Sequence, residues 1–411
     1  MPIAEIIRTR GVPVHVYADE LEPGARRQLV DLAESGIVVG FVAAMPDVHF
    51  GKGATVGSVF ASGHAVCPNA VGVDIGCGMA AVPVPELKRA ELSEDALWEI
   101  HRLIKERVPT GMAVHDKPVE AEILDDADRT RWLSGQLNQR VACSLGTLGG
   151  GNHFIELVYD DDDAVWVMLH SGSRNIGKVT AEHYNELARQ QMKKRNVAAP
   201  NADLNHLLIE SDEGQDYLRD MNWCQRYAAA NRHLMLMAVG RVVRRVTGHA
   251  PDESKAINIH HNYCNHEKCT FTEPATGKDV TMRLWVTRKG ATSAREGQHG
   301  IIPGSMGTGS FITVGKGNPH SWQSCSHGAG RLRSRTESMN TISQREFEDA
   351  MKGIVCETCK ELRDEAPQAY KDITRVMQQQ ADLVDPVRRL LPLLNVKGYD
   401  KAPWKEKRRR R

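Results

Sequence analysis

The chain has 411 residues, 41% of them hydrophobic, and 53 lysines and arginines against 52 acids give a formal net charge of +1. With no excess field to draw the whole molecule onto nucleic acid or membrane, a polyanion has to be gripped by local charge, and the length admits one large domain or two ordinary ones. The longest apolar runs, such as Ile37 to Met45, fall short of a membrane span, and the N-terminus lacks the basic-then-apolar order of a secretory signal, so a cytoplasmic protein is expected.

Nine cysteines, odd in number and scattered, fit reduced thiols better than a disulfide framework. Glycine gathers in four blocks, 51–57, 72–78, 146–151 and 297–317, which read as loops at strand ends. Ser93 is placed to cap a helix in which Leu97, Ile100, Ile104 and Val108 repeat at helical spacing. Ala164 to Leu169 reads as a strand, and a longer helical region runs from about Val179 to Val246 before Gly248. Cys264, His266 and Cys269 are close enough to ligate metal, but a charged hairpin tip with incidental cysteines explains them more simply. Val280 to Val286 and Ser310 to Val314 read as further strands. Cys356 and Cys359 form a CxxC with no second pair, best read as two thiols on a helix-like stretch. With no repeat and no Pro/Ser linker, the expectation is a single α+β domain over residues 1–398. It has a β-rich core bearing glycine-rich active-site loops, peripheral helices outside, and a separate basic tail over 399–411.

The chemistry gathers around histidines set among small or polar residues: His153 in GGGNHF, His170 in MLHSGSR, His261 in HHNY and His327 in SCSHGAGR, with Asp74 and Cys77 in VGVDIGCGM. Any one of them alone is as readily an ordinary core histidine. Together, three imidazoles, one carboxylate and one thiolate able to bridge form a donor set for two adjacent metals. The i, i+3 spacing of Asp74 and Cys77 across Gly76 turns both towards one point if the segment is a tight turn. Donor softness alone does not choose between zinc and manganese.

No GxxxxGK[ST] is present, and GTLGGG at 146–151 imitates a dinucleotide fingerprint only loosely. GIIPGSMGTGS at 300–310 offers backbone amides and the hydroxyls of Ser305, Thr308 and Ser310 as a phosphate nest, or is simply a glycine-rich connection. Arg331, Arg333 and Arg335 supply positive charge just after His327, though a solvated face would look similar.

Taken in order, PDVHFGKG, VGVDIGCGM, GTLGGGNHFIE, MLHSGSRNIG, HHNY, VTRKGA, GIIPGSMGTGSF, SCSHGAGR and AYKDI resemble the RtcB-type tRNA-splicing ligases, most closely the shorter bacterial members, over nearly the whole chain. The resemblance implies an RtcB-like fold and two manganese ions held by Asp74, Cys77, His153, His170 and His261, with Cys77 bridging. It implies His327 as the residue that carries GMP. Asn152, Phe154, Glu156, Ser305, Ser310, Ala329, Gly330, Tyr370 and Lys397 match positions around the guanine nucleotide, and Arg174, Arg331 and Arg335 match phosphate-side arginines. Asp47 and His49 belong to a motif near the metals and are either ligand-orienting or structural. Of the paired histidines, the one before Asn262 is the ligand, which selects His261 over His260. The chain departs from the short pattern by running on past Lys397 and Gly398.

The implied reaction uses GTP. The imidazole of His327 takes GMP, passes it to an RNA 3′-phosphate, opened first from a 2′,3′-cyclic phosphate where needed, and an RNA 5′-hydroxyl then displaces it. Capping of a 3′-phosphate without joining is the competing activity, and an RNA-end-binding relative without catalysis is the competing class. The intact donor set speaks against the latter. The expected partners are RNA ends and GTP, with no membrane. A monomer is expected rather than an obligate oligomer, and the sequence names no activating protein.

Overall fold

The apolar run around Ile37 to Met45 folds as a strand, Val39–His49, whose two faces are both covered. Phe41, Ala43 and Met45 meet one apolar cluster with Val286 and Trp322, while Val42, Ala44 and Val48 meet another with Leu29 and Leu32 of the helix Pro23–Ala33. Side chains alternate sides along an extended chain, so a run apolar at every position is one buried on both. In the computed structural model, which describes residues 3–399, this strand is third in a six-stranded sheet. The order is Glu5–Ile7, Val14–Val16, Val39–His49, Val56–Ser62, Asp279–Lys289, Asn262–Thr272. Val14–Val16 runs parallel to Val39–His49, and the other pairs are antiparallel.

A second, antiparallel sheet holds seven strands in the order Ile257–His260, Gly78–Lys88, Ala164–Ser171, Phe154–Tyr159, Val384–Lys397, Ser310–Gly315, His299–Ile302. Ala80, Val82, Ile155, Leu157, Val167, Leu169 and Val396 on one face pack against Ile100, Ile104, Met235 and Val239 of two helices. The other face buries Met79, Ala81, Val158, Met168, Ile301 and Leu390. The architecture is α+β, a β core with helices outside, in line with the sequence.

Ser93 caps the helix Glu94–Arg107 by accepting from the Ala96 amide at 3.2 Å. The helical region expected from Val179 to Val246 is two helices, Ile176–Lys194 and Asp212–Thr247. Asn196 in a left-handed conformation ends the first, and Ser211 starts the second by accepting from the Gly214 amide at 3.1 Å. The glycine block 297–317 is a hairpin rather than a single loop, since it contains both His299–Ile302 and Ser310–Gly315. Cys264 and Cys269 lie along the strand Asn262–Thr272 with buried side chains, not at a hairpin tip, and His266 stacks on Trp285. Cys356 and Cys359 sit between the helix Gln344–Ala350 and the 3-10 helix Lys360–Glu365, not on a helix. Of the basic tail expected over 399–411, residues 400–411 lie outside the described residues. Among the described residues no helix is long and apolar enough to cross a membrane.

Candidate active site

Sheet register gathers the donors. Cys77 immediately precedes the strand Gly78–Lys88, whose Met79 pairs with His170 and whose Gly78 pairs with His260. His170 in turn pairs with Phe154, the residue after His153, and the His261 amide donates to Cys77 O at 2.9 Å. The Cys77 amide closes the expected turn onto Asp74 O at 3.1 Å. Four distant segments therefore end at one point because four adjacent strands end there.

Cys77 Sγ lies 3.2 Å from His170 Nε2 and 3.5 Å from His153 Nε2. His170 Nε2 is 3.3 Å from His261 Nε2, and His153 Nε2 is 3.4 Å from Asp74 Oδ2. Two three-donor groups result, Asp74/Cys77/His153 and Cys77/His170/His261, and the thiol belongs to both. His153 Nδ1 donates to Leu148 O at 2.9 Å and His170 Nδ1 to Asn152 O at 3.1 Å, which leaves each Nε2 lone pair facing the cluster as a metal would require. Burial holds His170 and His261 well below the usual imidazole range, so both rings are neutral, with a lone pair to offer. Burial would raise the Asp74 carboxyl, yet the nearby His153 ring and hydrogen bonds from the Ser173 amide and hydroxyl hold it well below the carboxylate range. The Cys77 thiol is pushed up by burial and then by Asp74, so a nearby cation is needed to make it a thiolate. The donor chemistry fits a pair of divalent ions.

The helix Asp212–Thr247 braces this loop from behind. Fully buried Arg232 donates to Gly76 O at 2.8 Å, Ser171 O at 3.0 Å, Asn258 Oδ1 at 2.7 Å and His260 Nδ1 at 3.0 Å. Asn231 accepts from the Gly146 and Thr147 amides and donates to Gly172 O. His260 is thus spoken for by Arg232, while His261 joins the donors. Gly172 is needed for contact, since a Cβ there would come within 2.1 Å of the Asp74 carboxylate.

His327 stands next to the cluster, its ring centroid 4.8 Å from that of His261. Asp47, fully buried, accepts from His327 Nδ1 at 2.6 Å and from the His327 amide at 3.1 Å. This puts the ring proton on Nδ1 and leaves the lone pair on Nε2. Gly330, at φ 73°, lets the chain pass Asp47, where a Cβ would meet Asp47 O at 2.4 Å. His49 donates from Nδ1 to Asp47 O at 2.9 Å, and burial keeps it neutral.

A cavity of about 330 Å³ opens over these groups. Its wall contains Asp74, Cys77, His170, His261, His327 and His49, and also Asn152, Phe154, Glu156, Ser305, Ser310, Ala329, Gly330, Tyr370, Lys397, Arg331 and Arg335. Three expected residues stand off the wall. His153 and Asp47 act from behind it, and Arg174 is turned to Thr147 Oγ1 at 3.0 Å and Gly111 O at 3.4 Å. The loop at 303–309 is partly closed on itself: Ser310 Oγ accepts from the Gly304 amide and Thr308 Oγ1 from the Ser305 amide, so fewer amides are free than an open nest would offer. The Ala329 amide likewise donates to Pro303 O.

The cavity wall also holds a carboxylate that sequence reasoning missed. Buried Glu365 accepts from Lys397 Nζ at 2.7 Å, Tyr370 Oη at 2.7 Å, Arg335 at 2.6 Å and Arg331 at 3.1 Å. Burial would raise its carboxyl, but Lys397 and Arg335 hold it down to about 2. Asp364 also takes Arg335, so three cations face two acids and one positive charge remains for an anion. Lys397 reaches onward to Gly151 O at 3.4 Å and His153 O at 3.5 Å, tying this knot to the metal loop. On the opposite side, burial pushes the Glu156 carboxyl up to about 8 despite Asn395 and Lys397, and Asn395 donates to it at 2.6 Å. Asn231, Arg232, Asn395 and Glu365 were all absent from the expected site. The available signal was a polar pair, Asn231–Arg232, set among small and apolar residues of a helical stretch.

A family model described as tRNA-splicing ligase RtcB matches residues 28–129 and 119–398. The chain is 39% identical to the RNA-splicing ligase RtcB of Escherichia coli K12, with 96% of this chain and 99% of that protein covered. It is 31% identical to the RNA-splicing ligase RtcB of Mycobacterium tuberculosis H37Rv over 90% of this chain and all of that one. The tRNA-splicing ligase RtcB of Pyrobaculum aerophilum is 28% identical over 94% and 95% of the two chains.

Proposed function

This chain belongs to the RtcB family of tRNA-splicing ligases, and from that membership we propose that it joins RNA 3′-phosphate or 2′,3′-cyclic phosphate ends to 5′-hydroxyl ends at the expense of GTP, with GMP carried on His327. The enzyme is an RNA ligase. The observation that carries the histidine route is a nucleophile with one nitrogen held and one free: Nδ1 fixed by Asp47 at 2.6 Å, beside His261 of the donor cluster.

The residues support the following steps. Nε2 of His327 attacks the α-phosphorus of GTP, a P–N bond forms, and pyrophosphate leaves with the electrons of the broken P–O bond. Asp47 stabilises the charge that develops on the ring as Nε2 is bonded. An RNA 3′-phosphate oxygen then attacks the same phosphorus, and Nε2 recovers its lone pair. The 5′-hydroxyl finally attacks the activated 3′-phosphate, loses its proton to solvent or a nearby base, and expels GMP. Two manganese ions, one held by Asp74, Cys77 and His153 and the other by Cys77, His170 and His261, would supply Lewis acidity to these phosphates. Asn152, Phe154, Glu156, Ser305, Ser310, Ala329, Gly330, Tyr370 and Lys397 surround the guanine nucleotide in this reading, and Arg331 and Arg335 face phosphate.

Mass spectrometry of the protein after incubation with GTP and manganese tests it. A GMP-sized addition on the peptide containing His327 is expected. No addition, or an addition on another peptide, overturns the assignment.

A further inference from the structure

Within the motif AYKDI, the mechanism above gives Tyr370 work and Lys371 none. Yet the Lys371 ammonium donates to Pro46 O at 3.1 Å and to Val48 O at 2.8 Å, the two carbonyls that flank Asp47. We propose that Lys371 is a positioning residue, which holds the backbone bulge that aims Asp47 at His327. The inference rests on the ligase reading, in which His327 is the nucleophile, and adds the group that keeps its carboxylate on target.

A lysine that satisfies free carbonyls is ordinary where a ladder ends, but this ladder opens around Asp47. The strand Val39–His49 pairs with Val14–Val16 only as far as Ala44, and against Val56–Ser62 it jumps from Ala44 opposite Ser58 to His49 opposite Val56. Met45, Pro46, Asp47 and Val48 thus face Gly57 alone, a bulge of the kind that re-aims a side chain beside a site. Pro46 has no N–H to give to any ladder. Gly57, at φ 85°, makes the room, since a Cβ there would come within 3.0 Å of Asp47 Oδ1 and 2.9 Å of Val48 Cα. Asp47 Oδ2 accepts both N–H groups of His327, while Oδ1 has no hydrogen-bond partner among the described residues. The aim of the carboxylate is therefore set by its main chain, which Lys371 grips on both sides.

The setting of Lys371 fits that task. Its amide donates to Gly330 O at 3.0 Å, in the segment that runs on from His327, so one residue ties the bulge to the loop of the nucleophile. Asp19, Glu20 and Asp372 share a surface depression with it. Arg375 takes Asp19 and Glu20, and Asp372 caps the helix Ile373–Gln379 through the Thr374 amide. The ammonium goes to the two carbonyls instead, and of the acids around it buried Asp47 acts on its charge most strongly.

Single-turnover formation of the GMP adduct, followed with labelled GTP and manganese over a range of GTP concentrations, tests this in four proteins: wild type, Lys371→Met, Asp47→Asn and the double variant. Lys371→Met keeps the stem and loses the N–H donors. Its rate at saturating GTP is expected to fall roughly 10- to 100-fold, the loss that a misplacement of about 1 Å brings. The half-saturating GTP concentration and the manganese content should not change. In the double variant the lysine change is expected to add no further loss, because the carboxylate it aims is gone. Lys371→Gln takes the place of the methionine variant if that one melts below the assay temperature. A rate equal to the wild type, a loss confined to the half-saturating GTP concentration, or a loss that multiplies with that of Asp47→Asn overturns the positioning role and leaves the ligase reading standing. A wild type that forms no adduct on His327 overturns both.

Discussion

Oδ2 of Asp47 lies 2.6 Å from Nδ1 of His327 and 3.1 Å from the same residue's backbone nitrogen, so one buried carboxylate oxygen fixes both the ring and the chain that bears it. Asp47→Asn keeps the shape but can present an amide N–H to Nδ1, which moves the ring proton to Nε2 and blocks the nucleophile. Formation of the GMP adduct should slow by up to about 10⁴-fold, the loss seen when a histidine's orienting carboxylate is changed to an amide. Metal content should be unchanged. A stopped time course with labelled GTP measures the rate, and an undiminished rate refutes the role.

Cys77 and His327 should separate metal binding from nucleotide transfer. Cys77 belongs to both donor groups, so Cys77→Ala is expected to lose metal at both sites and the stabilisation that added manganese gives the wild type in thermal melts. His327→Ala is expected to keep the metal and the melt shift while forming no adduct. Elemental analysis beside the melts reads out both variants.

The Glu156 carboxyl is pushed up to about 8 by burial, from an ordinary value near 4.5. Below about 4.5 the folded and unfolded chains both carry this proton. Between there and about 8 only the folded chain does, so this group's contribution falls as pH rises through the window and levels off above it, by at most about 1.4 kcal/mol per pH unit. Glu156→Gln mimics the protonated form. Its melting temperature should therefore match the wild type near pH 4.5 and exceed it increasingly up to about pH 8. Parallel melting curves over that range contradict the assignment.

Glu365 and Lys397 are both buried and 2.7 Å apart. Removing Glu365 leaves Lys397 charged in a place water does not reach, so Glu365→Gln should cost roughly 3–5 kcal/mol, while Lys397→Met leaves Glu365 paired with Arg331 and Arg335 and should cost less. The double variant should cost less than the two together, because neither charge is then stranded. Urea denaturation of the four proteins gives the coupling, and strict additivity would mean the contact contributes nothing of its own.

What could be read from the sequence was whatever is written locally. Asp74 and Cys77 share one turn, and each histidine carries small or polar neighbours that mark a strand end, so the donors were legible before their meeting point was. Glu365 was not, because DEAP looks like a solvated turn until Lys397, Arg331, Arg335 and Tyr370 converge on it from three segments. Arg232 carried a fainter signal: it lies on the helical face of Met235, Val239 and Val243, where an unpaired arginine would be costly. The division of 179–246 into two helices was missed because hydrophobic spacing continues on both sides of Pro200. The glycine block 297–317 differed in the opposite sense: Ser310 to Val314 read as a strand, but the short strand His299–Ile302 that pairs with it was hidden among the glycines.

The strand Val384–Lys397 pairs with Phe154–Tyr159 on one edge and Ser310–Gly315 on the other. A nascent chain whose ribosome has not yet passed residue 397 therefore holds a four-stranded piece and a separate hairpin, each presenting an unpaired border where the missing strand will lie. The knot that Lys397 ties waits for the same moment. Synthesis itself thus acts as a timer: an interrupted product with every metal donor and His327 in place still lacks the seam that joins its two halves, and offers those open borders to aggregation instead.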